Sequence, residues 1–89
     1  MDEQDIDTDR IDEAVLALMF LTLHDLDRTS GTCRAWKTFD WDALGRLYEG
    51  GLINNPVGKA KSVVLTSAGR ERCERLFHGL FCARRKASV

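Results

Sequence analysis

A chain of 89 residues and 10.0 kDa has room for one core and no second globular unit. Its 44% hydrophobic and 30% charged residues fit a soluble globular chain rather than a disordered one. Thirteen Lys and Arg against fourteen Asp and Glu leave a net charge of −1, which excludes the strong sequence-blind nucleic-acid affinity of a basic protein.

Cys33, Cys73 and Cys82 are odd in number and irregular in spacing, so they outline no disulfide framework and suit a reduced cytosol. The apolar run from Ala14 to Leu23 is about half the roughly 20 residues a bilayer span needs. Residues 2–13 carry seven acids and one Arg, the opposite of a secretory leader. The expectation is a cytoplasmic protein with no membrane partner, folded as a single domain over 1–89. Charge is nonetheless polarised: residues 1–13 sum to −6, 14–67 to +1 and 68–89 to +4. A flexible acidic stretch is expected at 1–6 and a frayed basic tail at 84–89, solvated or paired with each other.

In chain order, Asp7, Thr8 or Asp9 can cap a first helix whose early acids suit the positive end of its dipole. Ile11, Val15, Leu18, Thr22 and Leu26 fall on one helical stripe, widened by Ala14, Met19 and Phe20, and predict a central helix running to about His24–Arg28. Thr29-Ser30-Gly31-Thr32 reads as a turn, and Cys33 to Phe39 as a short, imperfectly alternating strand. Asp40 then caps a second helix over about 41–49, with Trp41, Leu44, Leu47 and Tyr48 on its inner face and Gly50-Gly51 as its stop. Leu52-Ile53 and the β-branched Ser62-Val63-Val64-Leu65 predict a hairpin around a long polar tip. Thr66 or Ser67 caps a last helix whose stripe is Cys73, Leu76, Phe77, Leu80 and Phe81. The fold class is thus α+β, in the order helix, short strand, helix, β-hairpin, helix.

Two resemblances follow from these residues. Leu44-x-x-Leu47-x-x-Gly50-Gly51-Leu52-Ile53, a polar loop holding Lys59 and Lys61, and Val63-Val64-Leu65-Thr66-x-x-Gly69 resemble the second half of winged-helix regulators of the MarR and PadR types. That resemblance covers residues 40–81 and implies a recognition helix, a wing and a dimer made by terminal helices. It breaks at residues 27–39, where those regulators place a complete helix and this chain places a turn and a strand. A broader resemblance, over Leu21 to Asp25, Arg34 to Lys37, Phe39 to Leu44 and Pro56 to Val63, is to small uncharacterised bacterial proteins that form a domain of unknown function. It implies no activity.

For nucleic-acid contact the candidates are Lys59 and Lys61 at the wing, with Arg34, Lys37 and Arg46 as secondary contacts. Asp40 and Asp42 at the start of the second helix oppose direct groove reading, because carboxylates repel phosphates. Trp36, Phe39 and Trp41 lie among bases in a pattern that can stack unpaired nucleotides, but core packing is the stronger explanation in so small a chain. His24 and Cys33 are a minimal Cys–His pair with no third group to orient them, and the cysteines and histidines have no metal-ligand spacing. No enzyme activity, cofactor or metal is expected. Leu76, Phe77, Leu80 and Phe81 are the candidate surface of a homodimer. The functional expectation is a DNA-associated transcriptional regulator, with double-stranded DNA as partner. Its rival is a non-enzymatic module that binds a protein partner and has lost DNA binding.

Overall fold

A computed structural model describes residues 6–82. The expected acidic stretch 1–6, apart from Ile6, and the basic tail 84–89 lie outside the described residues. Helix α1 (Thr8–Leu18) starts where the Asp7 side chain accepts the Arg10 N–H at 3.2 Å, leaving Asp9 in the first turn beside the positive end of the dipole.

The helix ends earlier than its apolar stripe suggests. At Met19–Thr22 the chain tightens into a 3-10 turn, where the Thr22 hydroxyl donates to the Met19 carbonyl and accepts the Trp36 backbone N–H at 3.1 Å. That hydroxyl ties the end of the helix to a strand, and the chain leaves Leu23 extended. His24 to Asp27, expected to end the helix, form strand β1 instead. Leu26 is therefore exposed on β1, and the helix buries Val15, Leu16 and Ala17 rather than Ile11 and Leu18.

Strands β1 and β2 (Thr32–Trp36) form an antiparallel hairpin, with His24 opposite Arg34. Its turn is built from Asp27, whose carboxylate accepts the Thr29 N–H at 2.9 Å and whose carbonyl accepts the Gly31 N–H at 2.7 Å. Helix α2 (Trp41–Glu49) is capped by Asp40, as expected, through the Ala43 N–H at 3.1 Å. Its buried face is Ala43, Leu44 and Leu47, whereas Trp41 and Tyr48, expected on the inner face, are exposed.

Strand β3 (Ser62–Leu65) pairs antiparallel with β2, so the sheet order is β1-β2-β3. The expected hairpin between Leu52-Ile53 and β3 is reduced to one bridge, Ile53 to Leu65, with the Asn54 N–H on the Val64 carbonyl at 2.8 Å. Pro56, with no N–H to give, lies in the connection between them.

Helix α3 (Ser67–Phe81) opens with Thr66, whose hydroxyl accepts the Gly69 N–H and donates to the Gly51 carbonyl. A Cβ at Gly69 would collide with the Leu52 carbonyl oxygen. The Leu65-Thr66-x-x-Gly69 signature thus has a local meaning: a core side chain, a cap, and a helix turn docked directly on backbone.

Alternation along β2 and β3 separates the two faces of the sheet. Cys33, Ala35, Val63 and Leu65 point into a core completed by Leu16, Met19, Leu44, Ile53 and Cys73. Arg34, Trp36, Ser62 and Val64 point the other way, to a face that is only half covered. Helices α1 and α3 run in the same direction along each other, with Glu13 meeting Arg72 and Phe20 meeting Phe77. The outcome is a small α+β domain with a three-stranded antiparallel sheet.

Candidate nucleic-acid interface

The connection from Asn54 to Lys61 is held in shape by a lysine. Lys37, just past β2, extends its ammonium to the carbonyls of Pro56 at 2.6 Å and Gly58 at 3.1 Å. Its own N–H donates to the Lys61 carbonyl at 3.1 Å. The Asn55 side chain accepts the Val57 N–H at 3.0 Å, and Pro56 is buried. Gly58 has φ of +149°, a backbone conformation that L side chains rarely adopt. These bonds fix a loop that has only Pro56 to stiffen it by composition, and they shape a depression beside Trp36, walled by Lys37, Thr38, Gly58, Lys59 and Lys61.

Trp36 is 47% exposed there, although core packing was expected for it. The correction follows from strand geometry: Cys33 and Ala35 face the core, so Arg34 and Trp36 must face away. That period-2 signal was present in Cys33-Arg34-Ala35-Trp36 and outweighs the general tendency of tryptophan to be buried. Trp41, at the first turn of α2, is 54% exposed, and Phe39 is the aromatic of this stretch that packs against the core. The His24 ring lies 4.9 Å from the Trp36 indole at an interplanar angle of 39°. Its Nδ1 is 2.7 Å from the Thr22 carbonyl, so the imidazole supports one side of the tryptophan.

The five candidate contact residues separate into two groups. Lys37, Lys59 and Lys61 surround one depression, and no carboxylate lines it. Lys59 and Lys61 are exposed, with no side-chain hydrogen bond or ion pair among the described residues. Arg34 lies on the same sheet face but is committed to Ser62, through Nε to Oγ at 2.7 Å and a second N–H to the carbonyl at 3.3 Å. Arg46 is elsewhere. It forms a two-pronged pair with Asp12 of α1 at 2.7 and 2.8 Å, and the Asp12 hydrogen bond pushes its pKa up. With Arg46 so engaged and Asp40 and Asp42 at the start of α2, this helix offers a nucleic acid no accessible positive charge at its leading end.

The other candidates fare unequally. His24 and Cys33 line a second depression with Arg70 and Glu74; the His24 Nδ1 is taken up at the Thr22 carbonyl, and burial pushes the Cys33 thiol up despite the lowering effect of Arg70. Among the described residues no group of three or more His, Cys, Asp or Glu side chains gathers to hold a metal ion, and no helix is long and apolar enough to cross a membrane. Of the candidate dimer residues, Leu76 packs on the core and Phe77 stacks on Phe20 with centroids 4.5 Å apart. Those two are spent within the chain, whereas Leu80 and Phe81 remain half exposed.

The fold and the loop-side depression define a small α+β domain with a basic and aromatic surface. The family model for a domain of unknown function, DUF6429, matches residues 7–83, and the chain belongs to that family. It is 54% identical over 77 residues to the uncharacterized protein y4hR of Sinorhizobium fredii (strain NBRC 101917 / NGR234), a match covering 86% of this chain and 96% of that protein. No solved structure matches the chain.

Proposed function

We propose that this protein is a non-enzymatic, nucleic-acid-associated module that contacts phosphates through the 57–61 loop rather than through α2. The observation that carries this reading is the pair Lys59 and Lys61, exposed on a loop fixed by the Lys37 ammonium and adjoining a depression without carboxylates. A fixed loop loses less freedom on binding than a floppy one, so two or three charges suffice for a weak but defined contact. A transcriptional regulator reading duplex DNA by a helix is the less supported form of this idea, for the charge reasons given for α2.

Anisotropy of a labelled nucleic acid, in duplex and single-stranded form and at low and physiological salt, tests the reading. Binding is expected to weaken linearly with the logarithm of salt. The double variant Lys59→Ala/Lys61→Ala is expected to lower that slope by about 1–2. Absence of binding at low salt, or an unchanged slope in the double variant, refutes it.

The rival reading, an interaction module, draws on Leu80 and Phe81, half exposed at the end of α3. If these residues seat a second copy of the chain, sedimentation equilibrium gives a dimer for the wild type and a monomer for Leu80→Glu/Phe81→Glu. A monomeric wild type removes the homodimer.

A further inference from the structure

We infer that the depression beside Trp36 takes an unpaired base, which makes single-stranded nucleic acid, rather than duplex, the ligand of this surface. The inference rests on the phosphate-contact reading above and names the substrate class for the same site. Three features of the geometry converge on it. A tryptophan is half exposed on the sheet face away from the core, where it leaves a large part of its apolar surface in water. Its backbone is fixed, the main-chain N–H donating to Thr22 Oγ1 and the residue standing opposite Ser62 in the ladder, and its ring has the tilted His24 imidazole as neighbour on one side. The opposite wall of the depression is the Gly58–Lys61 segment, which presents two unpaired ammonium groups, and Lys37 adds a third positive charge. The carbonyls of Pro56 and Gly58 take two of the three Lys37 N–H donors without cancelling that charge.

A held aromatic face beside lysines matches the two repeating parts of a single strand, the planar base and the phosphate that follows it. Duplex DNA supplies the phosphates but keeps its bases stacked on one another, so it leaves Trp36 without a partner. Planarity and negative charge are what this site selects. It shows no array of fixed donors and acceptors for a base edge, so sequence preference is expected to be slight.

The test uses the full chain carrying Trp41→Phe, so that Trp36 is its one remaining tryptophan, titrated with a short oligothymidine and with a duplex of equal length. Quenching of Trp36 emission on adding oligothymidine, with affinity about 10-fold above that for duplex, is expected. Trp36→Ala is expected to weaken single-strand binding by roughly 5- to 100-fold while leaving the salt slope in place, and Trp36→Phe to restore most of the loss. Trp36 is half exposed, so Trp36→Ala is expected to keep the wild-type circular dichroism spectrum, and Trp36→Phe serves as the second probe if it does not. Unmoved Trp36 emission, or equal affinity for duplex and single strand with no effect of Trp36→Ala or Trp36→Phe, overturns the stacking inference. The phosphate reading then still stands if Lys59→Ala/Lys61→Ala lowers the salt slope. No binding of either form at low salt overturns both.

Discussion

On the helical side of the molecule three arginines are engaged by carboxylates, Arg46 by Asp12, Arg72 by Glu13 and Arg70 by Glu74, while Arg10 and Arg75 stay exposed. Around the 54–61 loop Lys37, Lys59 and Lys61 have no carboxylate partner among the described residues, and an aromatic ring stands open beside them. The same residue types therefore do different things in the two regions. Charge on the helical side links elements to one another, Arg46 joining α2 to α1 and Arg72 joining α3 to α1. Charge on the loop side is left for something outside the chain. A net charge of −1 conceals this, because a sum over the chain does not record which charges face an opposite charge and which do not.

If stability resides on the helical side, the sharpest break comes where α3 meets backbone. Gly69→Ala places a Cβ against the Leu52 carbonyl, and neither the helix nor the Leu52 turn can yield without losing the Thr66 cap and the Ile53–Leu65 bridge. A loss of about 3 kcal/mol or more is expected, seen as a collapse of the urea midpoint. Lys59→Ala on the loop is expected to move stability by no more than about 0.5 kcal/mol. Equal effects of the two substitutions would contradict the division.

Much of this division was legible in the sequence and some was not, for reasons specific to particular residues. The caps Asp40 and Thr66 and the stop at Gly50-Gly51 are local signals, since the bond by which each caps or ends its helix lies within a few residues, and they set α2 and α3 where the sequence predicts them. The end of α1 is not local. Ile11, Leu18 and Leu26 continue a helical period, but the Thr22 hydroxyl is taken by the Trp36 N–H fourteen residues away, and tertiary pairing turns His24–Asp27 into a strand. The candidate site divides in the same way. Lys59 and Lys61 were visible as a polar loop, but the bond from Lys37 to two carbonyls about twenty residues on leaves no trace in spacing. Arg46 looked available because its partner Asp12 lies 34 positions earlier. Trp36 is the opposite case, because strand alternation places it with Arg34 on the face away from Cys33 and Ala35.

Arg46 sharpens the comparison because the sequence offers it as a nucleic-acid contact and the structure makes it a clasp. Arg46→Ala removes both hydrogen bonds to Asp12 and leaves a carboxylate whose side chain is 14% exposed without its partner. Thermal unfolding is expected at a lower temperature than in the wild type, with the salt slope of nucleic-acid binding unchanged. The Lys59→Ala/Lys61→Ala variant is expected to do the reverse, keeping its melting temperature and losing slope. A variant of Arg46 that melts normally but binds weakly would move this residue from the helical side to the binding surface.

At neutral pH the smallest effect on stability belongs to the thiols, which carry the contrast between interior and surface into chemistry. Cys33 and Cys73 are buried and Cys82 is exposed. Desolvation, aided by Cys33 and Glu74, pushes the Cys73 thiol up to about 12 from the ordinary 9.0. In the folded protein this thiol keeps its proton where an unfolded chain would release it. Its contribution to stability is therefore present below pH 9.0 and is lost as pH rises from there toward 12. The urea midpoint is expected to stay level on this account below pH 9.0 and to decline above it, and Cys73→Ala is expected to shallow that decline. At neutral pH a thiol reagent should label Cys82 at once and the interior pair only as fast as the domain opens. Rapid labelling of all three would mean that the sheet and α3 part readily, and the helical side would then not be the rigid half of the molecule.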